Sequence, residues 1–244
     1  MKKYRSDELY ATPLDEVVNF RFDETVVDVF PDMINRSVPG YSTLINVAGI
    51  LSSQYARAGS QLYDLGCSLG AVTMSMQRRL SQPGCKIIAV DNSEAMLSRC
   101  RQYVEDAATD VPVEYVCADI QNVPIKRASV VVLNLTLQFI DPTQRTAMIE
   151  KIYAGMLPGG VLLLSEKLAF SDEIEAEFFT EMHRAFKRSN GYSDLEVSQK
   201  RAALDNVLVP ETREQHEARL RDVGFSEVRQ WFQCLNFVSF IAVK

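Results

Sequence analysis

Only Leu235 and Asn236 separate two strand-like runs near the end of this chain, Glu227 to Cys234 and Phe237 to Val243. A parallel crossover takes a dozen or more residues, so these runs have to pair antiparallel, as a hairpin. Upstream the pattern differs. Short, almost wholly apolar runs (Gln61 to Leu65, Lys86 to Val90, Val113 to Ala118, Ser129 to Leu133, Val161 to Ser165) alternate with helix-forming stretches at Ala71 to Leu80, Ser93 to Ala108 and Pro142 to Met156. Leu157-Pro158-Gly159-Gly160 reads as a stop signal after the last of these helices. Alternation of this kind makes a parallel sheet covered by helices on both faces. The expected fold is therefore α/β, with a seven-stranded, mostly parallel sheet containing one antiparallel strand. Residues 1–60 are expected to form an N-terminal helical cap, and residues 61–244 a domain with a helical insertion at about 168–220 before the last two strands. Both extra segments fall where they can close over the C-terminal edge of the strands, where such sheets bind ligands.

The first strand leads through Asp64-Leu65-Gly66-Cys67-Ser68-Leu69-Gly70 into a helix. Glycine at 66 and 70 permits a backbone with φ > 0, or leaves room for a ligand against bare main chain. Ser68 and Ala71 stand where a dinucleotide fingerprint needs glycine, which disfavours a pyrophosphate ligand. Taken alone, the loop is equally a tight strand-to-helix turn. Three further polar residues close successive strands: Asp91, Asp119 and Asn134. In a parallel sheet those ends share one edge with the loop. Asp91 suits a ribose, since one carboxylate accepts from both hydroxyls. Asp119 suits an exocyclic amine, with the Ile120 backbone beside it for the ring edge. Each is individually as good a loop residue or helix cap, but the set points to a nucleoside site.

Composition narrows the alternatives. With 47% hydrophobic and 24% charged residues, the chain reads as an ordinary globular protein. No apolar run approaches the roughly 20 residues that cross a bilayer. The polar start, Met1 to Glu8, lacks the apolar core of a signal peptide, so a cytoplasmic protein is expected. A net charge of −6 disfavours an extended nucleic-acid surface. Basic residues gather at Arg184, Lys187, Arg188, Lys200 and Arg201, and they read as a solvated helix face paired with acids such as Glu181 and Glu196. Five dispersed cysteines without a C-x-x-C pair read as reduced thiols, and the isolated His183 and His216 suggest no metal site.

With this constellation, residues from about 60 to 244 resemble the Rossmann-like S-adenosylmethionine-dependent methyltransferases. The resemblance implies that Gly66, Cys67 and Ser68 flank the methionine part of S-adenosyl-L-methionine, Asp91 and Asn92 its ribose, and Asp119 and Ile120 its adenine. It places Asn134 by the methionine or the reacting centre. A narrower likeness lies in phrases outside the sheet: Phe22-Asp23-Glu24, Val29-Phe30-Pro31-Asp32-Met33-Ile34, Arg36-Ser37-Val38-Pro39-Gly40-Tyr41, Phe186-Lys187-Arg188 with Asn190-Gly191-Tyr192-Ser193, and Glu196-Val197-Ser198-Gln199-Lys200-Arg201. These are similar to the carboxy-S-adenosyl-L-methionine synthase family. That likeness implies a carboxyl transfer from prephenate to the methyl carbon of S-adenosyl-L-methionine, which is a substrate here, with release of phenylpyruvate. It points to Arg201 as the catalytic-site cation facing a carboxylate, and to Tyr41 as a lid-side contact to S-adenosyl-L-methionine. Without the likeness, Arg201 reads as a surface arginine and Tyr41 as a packing residue. The likeness further implies a homodimer without a metal, whose product serves a partner enzyme that builds 5-oxyacetyl uridine at the tRNA wobble position. An ordinary methyltransferase acting on a small acid would share every residue on the S-adenosyl-L-methionine side. A non-catalytic S-adenosylmethionine-binding protein is the third reading.

Overall fold

The computed structural model describes residues 5–107 and 109–244; Met1 to Tyr4, and Ala108 at the expected end of one helix, lie outside them. Three helices precede the sheet: α1 (Glu24–Val27), α2 (Phe30–Ser37) and α3 (Tyr41–Tyr55). The Asp23 carboxylate accepts from the backbone of Thr25 and Val26 and so caps α1. Pro31 stands in the first turn of α2, where no partner is needed for the N–H it lacks. Then follow β1 (Gln61–Leu65), α4 (Ala71–Gln77), β2 (Lys86–Asp91), α5 (Glu94–Glu105), β3 (Val113–Cys117), β4 (Ala128–Asn134), α6 (Pro142–Gly155) and β5 (Met156–Lys167). The chain ends with α7 (Glu173–Ser189), α8 (Asp194–Leu204), α9 (Arg213–Val223), β6 (Glu227–Cys234) and β7 (Phe237–Val243).

The strands form one seven-stranded sheet in the order β3-β2-β1-β4-β5-β7-β6. Only β7 runs against its neighbours, and the other pairings are parallel. The terminal hairpin has the bounds that its apolar pattern predicts. Successive strand residues face opposite sides. Leu62, Val130, Val132 and Leu163 meet Ala48 of α3 and Val72 and Met76 of α4. Tyr63, Leu65, Val131, Leu133 and Leu164 meet Met148, Ile149 and Ile152 of α6 and Leu220 of α9. The helix α9 therefore covers the sheet, while α7 and α8 stand beyond its ligand edge. Among the described residues no helix is long and apolar enough to cross a membrane.

The strand β5 is longer than the expected Val161 to Ser165. Met156 already pairs with Ala128, and the register shifts before Val161 pairs with Val130. Leu157-Pro158-Gly159-Gly160 does end α6, but as an irregular start to the strand rather than as a loop. Proline and a glycine at φ 70° are tolerated there because the ladder is already interrupted. At its far end β5 continues through Glu166 and Lys167, paired with Val238 and Phe237 of β7. That pairing carries Lys167 to the ligand edge.

His216 on α9 is 1% exposed and packs beside Phe240, with neither ring nitrogen hydrogen-bonded among the described residues. Burial pushes its pKa down to about 4. Above the ordinary histidine value of about 6.5 the ring is neutral in folded and unfolded chains alike, and contributes nothing to pH dependence. Between there and about 4 only the unfolded chain takes the proton, so stability falls with pH by about 1.4 kcal/mol per unit from this group. His216→Leu is expected to be no less stable at pH 7.5, and its advantage should widen as the pH drops below 6.5. Urea unfolding of both proteins across that range checks this; a constant difference would refute it.

Candidate active site

A cavity of about 490 Å³ opens at the C-terminal ends of β1, β2 and β4, and residues of α2, α3, α7 and α8 also line it. Its floor is the loop after β1. Gly66 and Gly70 adopt φ 81° and 80°. A Cβ on Gly66 would lie 2.4 Å from Thr136 Oγ1, and one on Gly70 2.5 Å from Cys100 Sγ. Both glycines are thus required by conformation and by protein packing, and the main chain of the loop stays open to the cavity. Beneath it, Asp64 Oδ2 accepts from the Thr73 backbone N–H at 2.9 Å and from its hydroxyl at 2.6 Å. Burial raises the Asp64 pKa to about 6 against these bonds.

Asp91 joins the loop to the next helix. One oxygen accepts from Ser68 N at 2.8 Å, the other from Ser93 N at 2.9 Å. Each carboxylate oxygen has a second lone pair, so the diol of a ribose can still be bound. Burial raises the Asp91 pKa, and the two backbone N–H groups hold that rise in check. Asp119 is the turn cap that one of its readings expects. Its Oδ1 caps the short turn Ile120–Asn122 by accepting from Gln121 N at 2.8 Å, which leaves Oδ2 for an amine. Asn134 closes β4, and the left-handed Leu135 behind it turns the chain so that Thr136 also faces the cavity. Tyr41 opens α3 after the left-handed Gly40, and burial raises the pKa of its phenol.

Tyr41, Gly66, Cys67, Ser68, Asp91, Asn92, Asp119, Ile120 and Asn134 therefore all line one cavity. Arg201 is not among the lining residues. Its side chain is 56% exposed and lies 3.9 Å from Asp205, yet its charge lowers the pKa of Lys167 and Lys187, which do line the cavity.

The expected solvated basic face is only half correct. Arg184 pairs with Glu181, and Arg188 with Asp194 at 2.6 Å. Glu196, however, closes a capping box with Ser193 instead of pairing with a base. Lys187 and Lys200 turn to the cavity, beside Lys167 and His183. On α7, residues 183 and 187 share one face at helical spacing and 184 and 188 share another, so one basic run serves two surroundings. Lys200 is 4% exposed, and its ammonium donates to Asp7 at 3.1 Å, Ser37 at 3.2 Å and the Tyr192 hydroxyl at 3.2 Å. Aromatic rings from the N-terminal segment and the turn after β4, Phe20, Phe22 and Phe139, form a third wall.

Residues 62–160 match the family described as methyltransferase domain. The carboxy-S-adenosyl-L-methionine synthase of Citrifermentans bemidjiense is 58% identical over 241 residues, spanning 98% of this chain and 99% of that protein. The synthase of Geobacter metallireducens is 57% identical over 99% of both chains, and that of Vibrio campbellii 52% identical over the same shares. This chain belongs to the carboxy-S-adenosyl-L-methionine synthase family. Among solved structures, human N-acetylserotonin methyltransferase in complex with S-adenosylmethionine superposes with a TM-score of 0.58 at 18% identity, over 99% of this chain and 63% of that one. Magnesium protoporphyrin IX methyltransferase from Synechocystis gives 0.57 at 16%, over 83% and 82%. These two likenesses concern the fold. For the synthase family, the instructive contrast lies between the walls of the cavity. The strand-end wall carries carboxylates and open main chain suited to a nucleoside and a sulfonium. The wall from β5, α7 and α8 carries cations.

Proposed function

We propose that the protein converts S-adenosyl-L-methionine and prephenate to carboxy-S-adenosyl-L-methionine and phenylpyruvate. The observation that carries this reading is that Lys167, Lys187 and Lys200 line the same cavity as Asp91, Asp119 and Asn134, because a dianionic co-substrate calls for such cations beside the S-adenosyl-L-methionine site. In the reaction, prephenate aromatises by losing carbon dioxide and its ring hydroxyl as hydroxide. The hydroxide takes a proton from the sulfonium methyl, giving water and an ylide, and the ylide carbon attacks the carbon dioxide to form the new C–C bond. The protein's part is orientation, charge complementarity and exclusion of water. Phe20, Phe22 and Phe139 keep the site apolar where the gas must be held. Arg201 serves the new carboxylate from the rim, and Tyr41, Asp91, Asp119 and Asn134 hold S-adenosyl-L-methionine. Solvent bicarbonate that efficiently labels the new carboxyl group would sink this mechanism.

The described N-terminal segment through α2, together with α7 and α8 of the helical insertion, acts as a lid over the site. The protein works in the cytoplasm as a homodimer. An apolar stripe on α7 supports a dimer: Ile174, Phe178 and Met182, at 80%, 57% and 41% exposure, lie four residues apart along one face. Its product passes to a tRNA-modifying enzyme, in keeping with a net charge of −6 that leaves tRNA to another protein. Mass spectrometry of the protein incubated with both substrates tests the central reading. The expected product is S-adenosyl-L-methionine with one hydrogen replaced by a carboxyl group. Demethylated product from an acid acceptor would make it an ordinary methyltransferase instead.

A further inference from the structure

We propose that Lys167 and Lys187 together bind the carboxylate that the donor keeps, the one that survives in phenylpyruvate. This rests on the carboxyl-transfer reading and adds a subsite to it. The two residues come from different elements, the end of β5 and the last turn of α7, and both line the cavity, close enough for the charge of Lys167 to act on Lys187. Lys167 is placed by the β5–β7 ladder, opposite Phe237, and by its own N–H, which donates to the Gln138 side chain at 3.0 Å. Lys187 follows one helical turn after His183, whose ring packs on Phe237 at 5.2 Å between centroids. Phe237 thus lies opposite Lys167 in the sheet and against the α7 face that carries His183 and Lys187.

What marks the pair is the lack of a counter-charge. Lys200, the third lysine of that wall, has Asp7. Among the described residues neither Lys167 nor Lys187 has a carboxylate within ion-pair distance, and Asp205 acts on Lys167 only from farther off. Burial pushes the Lys187 ammonium down to about 7, and Lys200 and Lys167 push it further in the same direction. Burial and the charge of Arg201 lower Lys167 too. Like charges gathered in a half-buried wall cost folding stability, and that cost is characteristic of a site shaped for a ligand rather than for the fold. An anion between them would offset the like-charge repulsion and favour the charged form of both lysines. His183 does not compete for it, since burial and the neighbouring lysines hold it neutral, with Nε2 engaged by the Ser37 carbonyl at 2.7 Å.

The chemistry assigns which carboxylate this is. The ring carboxylate of prephenate must lose its charge as carbon dioxide, and a strong permanent cation on it would hold back that step. The pyruvyl carboxylate is the same in substrate and product. Ammonium groups that gain their charge as the anion binds there do not oppose the reaction, and they fix the ring relative to the sulfonium.

The test uses the full-length protein with Lys167→Met, Lys187→Met and Lys187→Arg. Three quantities are read: the KM for prephenate, the inhibition constant of phenylpyruvate against prephenate, and the melting temperature. Phenylpyruvate carries only the retained carboxylate, so it isolates the subsite. Each Met variant is expected to raise both constants about tenfold to hundredfold, the range of one charge-assisted contact. Affinity for S-adenosyl-L-methionine should be unchanged and the melting temperature equal or higher, with Lys187→Arg close to wild type. A raised KM with an unchanged phenylpyruvate constant would overturn the assignment, because the lysines would then hold the departing carboxylate. Both constants unchanged, or a lower melting temperature with parallel loss of S-adenosyl-L-methionine binding, would overturn it as well. Wild-type protein that makes no carboxylated product would overturn the parent reading, and that result needs no variant.

Discussion

Asp91→Ala is expected to weaken S-adenosyl-L-methionine binding by about a hundredfold or more. The carboxylate accepts from Ser68 N and Ser93 N, so it fixes the loop after β1 and the start of α5 before any ligand arrives. It then has two lone pairs for the ribose hydroxyls. Hydrogen bonds to a charged group contribute about 1.5–3 kcal/mol each, and losing two of them accounts for that factor before any disorder of the loop is counted. Asp91→Asn separates the contributions. It keeps the volume and one acceptor oxygen but puts an amide N–H₂ against a backbone N–H. It should therefore lose most of the binding while melting within a few degrees of wild type. Calorimetric titration of the three proteins measures this, and dissociation constants within about threefold of wild type would remove Asp91 from the site.

Arg201→Leu should abolish carboxyl transfer, by about a hundredfold or more in kcat/KM for prephenate, and leave S-adenosyl-L-methionine affinity within about threefold. A forked guanidinium–carboxylate contact is worth that much when water is excluded. The unliganded fold does not depend on the side chain: it is 56% exposed, and its nearest acid, Asp205, is 3.9 Å away and itself exposed. Removing its charge also relieves Lys167 and Lys187. The loss should therefore appear in turnover and not in melting. Arg201→Lys should recover only part of it, because an ammonium cannot bind both carboxylate oxygens in one plane. Transfer that survives in the Leu variant would show that Arg201 has no such role.

The strand-end side of the cavity was legible in the sequence because its residues lie at positions that the topology fixes. Residues that end parallel strands share an edge, so Asp91, Asp119 and Asn134 could be placed together once the strands were found. The hairpin was legible for a similar reason, since two residues leave only one way to connect β6 and β7. The cationic wall was not. Lys187 and Arg188 are neighbours in sequence, and nothing local distinguishes the one that faces the cavity from the one that pairs with Asp194 in solvent. That choice belongs to the packing of α7 against α2 and β7, between elements far apart in the chain. Lys167 stands at the expected end of the fifth strand, but a lone lysine there carries no sign of the cavity, and its place in the lining depends on pairing with β7. Asp7 carries no signal at all in a polar N-terminal stretch, yet it is 1% exposed and is the counter-ion of Lys200.

The contacts of that stretch also bear on how the protein reaches its working form. Leu14 N donates to the Gln199 side chain at 2.8 Å, Gln199 in turn donates to the carbonyls of Tyr10 and Thr12, and Phe20 N donates to the Ala203 carbonyl at 2.9 Å. Asp7 and Lys200 are 193 positions apart. Closing so long a loop is slow, and nothing rewards it until both ends have a surface to dock on. The helix α8 is that surface. A refolding chain is therefore expected to pair its locally connected parallel strands before it encloses its ligand chamber. Until then the aromatic wall lies open to solvent, and the chain is most exposed to aggregation in the interval just before it first becomes able to bind.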